Sequence, residues 1–173
     1  MRDFTVDLAV LLVVVSAMPS VAADRKYIDK KVRSEPTEYA VSLAAQGGDL
    51  GHAFVIWNRG DNAAMMTTQQ VVGFYPQADT TKYEAVFGLS PGQIFDDSRE
   101  KPEYVVIVSV NSDAYEKARA VFEKWKSSGN YMLGFKDCTT FAAEIGAAIG
   151  LNMPSRVFAP YPIQYIKAIA EKN

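Results

Sequence analysis

The chain of 173 residues contains one cysteine, Cys138, and one histidine, His52. A single cysteine excludes an internal disulfide, so the thiol is either a small buried hydrophobe or a reactive group. One cysteine and one histidine also cannot close a zinc shell, and the carboxylates show no ligand spacing. Neither a metal nor another cofactor is expected. A serine triad would need the same histidine, and no Gly-x-Ser-x-Gly motif is present. Basic runs are missing as well. With 18 Lys and Arg against 20 Asp and Glu, the charge gives no reason to expect a nucleic-acid partner. The apolar run from Leu8 to Met18 is too short to cross a bilayer as a helix.

That run is followed by Pro19-Ser20-Val21-Ala22-Ala23, in which Val21-x-Ala23 fits a small-residue cleavage site. Arg2 ahead of it is offset by Asp3 and Asp7, an atypical flank for a leader. Residues 1–23 are read as a removable signal peptide and residues 24–173 as a single domain. The expected location is outside the cytoplasm, periplasmic or secreted, with no stable membrane insertion after processing.

Residues Asp24 to Pro36 are mostly charged and aperiodic, and read as a surface arm. Glu38 to Ala45, the His52 strand and Thr67 to Tyr75 are expected to form an antiparallel meander. Their turns are at Gln46-Gly47-Gly48-Asp49 and at Arg59-Gly60-Asp61-Asn62. Tyr83 to Phe87 reads as a short strand and Gly88 to Lys101 as loop. Glu103 to Val110, β-branched and apolar, reads as a central strand. A helix capped by Ser112 or Asp113 runs to about Ser127. Another opens at Cys138 and stops at Gly150, and a last one covers Ile163 to Glu171. The fold class is α+β, an antiparallel sheet packed against helices.

Cys138 stands in the first turn of its helix, with Asp137 placed to cap it. Unpaired N–H groups and the helix dipole there favour an anion. Phe141, Ala142, Ile145 and Ile149 share its face, so the sulfur points toward the sheet. His52 shares a strand face with Phe54 and Ile56, opposite Ala53, Val55 and Trp57. Both residues also suit an ordinary core, and a separation of 86 positions does not by itself bring them together.

Asp137-Cys138-Thr139-Thr140-Phe141, followed by Gly150-Leu151-Asn152-Met153-Pro154-Ser155-Arg156, resembles the nucleophile helix of the NlpC-type cell-wall peptidases. Gly51-His52-Ala53-Phe54-Val55 is similar to the histidine strand of that papain-like superfamily. Histidine before cysteine matches its circularly permuted branch, which includes the lecithin-retinol acyltransferase-like enzymes. Thr140 departs from the glycine common there, and no second histidine exists to orient the first.

The resemblance implies a permuted papain-like fold with the nucleophile at the start of a late helix. It implies a Cys138–His52 thiol hydrolase that cleaves an amide or ester through an acyl-enzyme. The expected substrate is a cell-wall peptide, with a lipid acyl group as the alternative. A non-catalytic binding or inhibitory module on the same fold is the rival reading. With the hairpin turning near Gly60 to Ala64, the orienting third residue falls near position 70, and Gln70 or Gln69 is the candidate, Gln70 placed first. Phe54, Trp57, Phe74, Tyr75 and Phe135 could line an acyl groove, or serve as ordinary core.

Overall fold

Three strands in succession organise the molecule: β2 (Thr37–Gln46), β3 (His52–Asp61) and β4 (Met66–Pro76). A computed structural model describes residues 23–61 and 66–173 of the chain. The leader reading, which rests on Leu8 to Ala22, therefore lies outside the described residues. β2 and β3 pair antiparallel from Thr37↔Asp61 to Gln46↔His52, joined by the glycine turn at Gly47-Gly48. β3 and β4 pair from Phe54↔Gly73 to Asp61↔Met66. Both strands thus run through the expected turn at Arg59–Asp61, and the connection falls within residues 62–65, outside the description.

Alternation along these strands divides the sheet into two faces. Val41, Leu43, Ala45, Ala53, Val55, Trp57, Val72 and Phe74 enter the main core, whereas Ala44, Phe54 and Val105 form a small cluster on the other side. The sheet has seven strands, in the order β1-β6-β2-β3-β4-β5-β7, mostly antiparallel. β6 (Tyr104–Val110) lies inside it, as its β-branched run predicts.

Its outer neighbour corrects one expectation. Asp24 to Asp29 is not a loose arm but β1, paired parallel with β6 from Asp24↔Tyr104 to Asp29↔Ser109. Charged side chains alternating along an edge strand hide the strand pattern, because only one partner is needed to hold it.

Two further corrections concern the segment after β4. Lys82–Phe87 is a helix, α1, rather than a strand. Thr81 caps the Glu84 N–H while Glu84 reaches back to the Thr81 N–H, and Gly88 ends the helix at φ +69°. Ser90–Asp96, expected as loop, is β5, paired with β4 from Val72↔Asp96 to Pro76↔Gly92. Gly92 is needed there because a Cβ would run into the Phe74 ring. The short β7 (Asn130–Tyr131) completes that edge.

Three helices cover the main face: α2 (Ser112–Trp125), α3 (Cys138–Ala148) and α4 (Pro162–Lys172). Asn111, not Ser112 or Asp113, takes the N-cap position of α2, and Glu35 accepts from the Ser112 N–H at 2.8 Å. α3 packs on β3 and β4, and α2 leans on α3. Phe141, Ala142 and Ile145 are fully buried, each large side chain contributing roughly 1.5–3 kcal/mol relative to exposure. A Cβ on Gly146 would sit 2.9 Å from Leu43 Cδ1, so glycine lets α3 approach the sheet closely. That approach sets Cys138 at the sheet's end. Among the described residues no helix is long and apolar enough to cross a membrane.

Candidate active site

Cys138 is the first residue of α3 and is buried at 5 % exposure. Asp137 caps the helix, its Oδ1 accepting from the Thr140 N–H at 2.9 Å and its Oδ2 from the Gly134 N–H at 2.7 Å. Arg156 then closes on the same carboxylate with two charge-assisted bonds, Nη1 to Oδ1 at 2.8 Å and Nη2 to Oδ2 at 2.9 Å. Burial alone would raise the Asp137 carboxyl, but Arg156 and the backbone donors prevail and hold it below the usual range. The residues of the Asp-Cys and Pro-Ser-Arg motifs thus meet, and the start of α3 is clamped.

His52 opens β3 at the same end of the sheet. Its Nε2 lies 3.1 Å from Asp97 Oδ2, with both side chains buried. Asp97 follows β5 directly and is anchored by its N–H donating to the Val71 carbonyl at 3.0 Å. Tyr75 covers the pair: its hydroxyl donates to Asp97 Oδ1 at 2.8 Å and its ring stacks on His52 at 4.3 Å between centroids. Gly73 is the floor. A Cβ there would overlap the Asp97 carboxylate and lie 2.5 Å from His52 Nε2.

Cys138 and His52 line the same cleft. With Nε2 committed to Asp97, Nδ1 is the free ring nitrogen. Burial works against the charged ring, yet Asp97 and Cys138 together outweigh it and push the His52 pKa up to about 9. Tyr131, at the end of β7, lines the same cleft. Burial and the Cys138 charge hold that phenol well above its ordinary range, so it stays a donor.

Cys138, His52, Tyr75, Tyr131, Asp137 and Arg156 line one cleft of about 640 Å³ that also takes in Phe74, Ala85, Val86, Leu133 and Tyr161. A second depression of about 710 Å³ lies along Gln69–Val72 and Gln93–Asp96 and contains neither Cys138 nor His52.

Gln70 belongs to that second depression, which corrects the third-residue expectation. It pairs with Trp57, and its Oε1 accepts from Arg119 at 2.7 Å. Continuing the Phe54↔Gly73 register toward the strand end sets Tyr75, not Gln70, across from His52. The register, in which Asp61 pairs with Met66, centres the turn inside the expected Gly60–Ala64 stretch and sets the partner of His52 five positions beyond the expected one. Asp97 takes the orienting position instead. Its signal, Asp96-Asp97, read as loop chemistry because β5 itself was hidden. Tyr75 is legible in the sequence as a groove aromatic but not as a partner of the His52–Asp97 pair.

Of the aromatics expected to flank the site, Phe74 and Tyr75 line the cleft. Phe54 stacks beside the His52 ring at 5.8 Å between centroids but does not line the cleft, Trp57 packs against Phe122 in the core, and Phe135 points outward at 77 % exposure. Among the described residues, no group of three or more His, Cys, Asp or Glu side chains is arranged to hold a metal.

Models of known protein families, curated proteins and solved structures yield no match to this chain. The site's own geometry therefore carries the functional reading.

Proposed function

We propose that this protein is an exported thiol hydrolase of permuted papain-like architecture, cleaving an amide or ester bond through an acyl-enzyme. The observation that supports the reading is that Cys138, at a helix start, and His52, at a strand start, line one cleft while Asp97 holds the His52 ring at 3.1 Å: nucleophile, base and orienter. In this reading His52 takes the Cys138 proton and the thiolate attacks the carbonyl carbon, forming a tetrahedral oxyanion. The α3 N-terminus and the Tyr131 hydroxyl supply donors to that oxyanion. The imidazolium then gives its proton to the leaving amine or alcohol, and water hydrolyses the thioester. Asp97 holds the ring in the tautomer this requires.

A peptide amide of the cell-wall type is the substrate placed first, on the export-like leader and the resemblance of the Cys138 helix to cell-wall peptidases. A lipid acyl substrate is the second reading. It is favoured by the apolar cleft wall of Phe74, Ala85, Val86 and Leu133, and by Leu50 and Tyr161, which line the mouth while remaining about half exposed.

The test is iodoacetamide labelling of the purified protein across about pH 4 to 9, comparing wild type with His52→Ala. Rapid labelling at acidic pH that vanishes in the variant is expected. Slow labelling with the same profile in both proteins would overturn the hydrolase reading and favour a binding module.

A further inference from the structure

The charged groups of the cleft are not all accounted for by the Cys138 chemistry. His52 pairs with Asp97, and Arg156 pairs with Asp137. Lys82 opens α1, the segment whose Ala85 carbonyl accepts from the Leu133 N–H just ahead of the nucleophile helix. Glu100 lies on the other flank. It is half-buried, lines the cleft, and makes no ion pair among the described residues. Its Oε2 accepts one hydrogen bond, from Gln46 Nε2 at 2.8 Å, which leaves Oε1 open.

Two constraints place this carboxylate beside the histidine. Gln46, which holds the side chain, is the residue directly across from His52 in the β2–β3 pairing. Asp97, which holds the His52 ring, also accepts the Glu100 backbone N–H at 2.9 Å, so both acids stand in one tight turn. The Glu100 charge is felt at the Tyr75 hydroxyl, the group that covers the His52–Asp97 pair. With its backbone fixed in that turn and its carboxylate held by Gln46, Glu100 has less freedom to swing out to solvent, and its field is concentrated by the cleft's low-dielectric walls.

We infer that Glu100, held by Gln46, is a cation-recognising subsite at the His52 end of the cleft, selecting substrates whose leaving group carries a positively charged amine. The chemistry gives the side. In the proposed hydrolysis His52 protonates the departing amine or alcohol, so the leaving group lies next to His52, and Glu100 is the open acid there. The inference rests on the hydrolase reading and narrows it to peptide-like or amino-bearing leaving groups.

Charged thiol reagents test it on the full chain. Methanethiosulfonates react when the thiolate attacks the sulfenyl sulfur, forming a mixed disulfide and expelling methanesulfinate. The trimethylammonioethyl reagent is expected to modify Cys138 roughly fivefold faster than the sulfonatoethyl reagent at low ionic strength, with the preference fading in high salt. Glu100→Gln, which keeps the shape and the contact to Gln46, should bring the ratio of the two rates close to one. Glu123→Gln, on the outer face of α2, should leave the ratio as in wild type. A wild-type ratio near one, or a ratio that survives Glu100→Gln, would overturn the subsite while leaving Cys138 as a nucleophile. Failure of the small neutral methyl reagent to modify the native protein would instead sink the hydrolase reading, and the subsite with it.

Discussion

Asp97 and His52 stand 45 positions apart in the chain and meet at 3.1 Å over the bare backbone of Gly73. Three strands cooperate in that contact: β3 brings the ring, β4 the glycine floor, and the end of β5 the carboxylate. Tyr75, two residues beyond Gly73 on the same strand face, closes it from above. A buried carboxylate beside a ring nitrogen fixes the tautomer and raises the basicity of the other nitrogen, which is what a general base facing a thiol requires.

Gly73→Ala should break this contact while sparing the fold. The position is an ordinary paired one in β4, so the strand accepts alanine, but the new methyl occupies the space of the carboxylate. Acid-range iodoacetamide labelling is expected to slow by about tenfold or more, with a stability loss of about 1–3 kcal/mol in urea melts. Unchanged labelling would show that the His52–Asp97 contact does not govern the thiol.

Asp97→Asn removes the charge and keeps the shape. Because the chain has one histidine, its ring proton resonance can be followed by NMR without assignment work. The pKa of about 9 should fall toward 6.5, and hydrolysis, once a substrate is known, should drop on the order of 10²–10⁴-fold. A ring that titrates as before would remove Asp97 from the site.

Stability should depend on alkaline pH through His52. Its pKa is raised in the folded state above the unfolded value of 6.5, so the protonated ring favours folding. That contribution is fully present below about 6.5 and is lost as pH rises through about 9, for a total on the order of 3 kcal/mol. Urea denaturation at a series of pH values should show the decline in wild type and a flatter curve in His52→Gln. Parallel curves for the two proteins would contradict it.

Arg156→Leu tests the clamp on the nucleophile helix. It leaves the Asp137 carboxylate, 2 % exposed, without its cation. A destabilisation of about 3 kcal/mol is expected, as for breaking a buried ion pair from one side. Asp137→Asn in the same background should recover part of it, since the neutral amide still caps the Thr140 N–H. The melting temperatures of the two variants decide the matter.

Much of the architecture is written locally. The helical spacing behind Cys138, the Asp137 cap and Gly150 at φ +80° specify α3 and its inward face within one short stretch. The unbroken β-branched run of β6 likewise announces an interior strand. The elements that escaped notice, β1 and β5, are polar or proline-bearing strands held by a neighbour rather than by their own pattern. α1 could have been found from Thr81-x-x-Glu84, a capping box that outweighs the strand propensity of Tyr83, Val86 and Phe87.

The site divides along the same line. By itself the sequence determined which thiol and which imidazole a Cys–His pair would use, because the chain has one of each, and it determined where on their elements they sit. Only the tertiary structure decided that the two line one cleft, that Asp97 rather than Gln70 contacts the ring, and that Glu100 lines the cleft with them. Those choices depend on hairpin register and on side chains converging from the ends of separate strands. Such distances are set by long-range pairing, and no local pattern of residues records them.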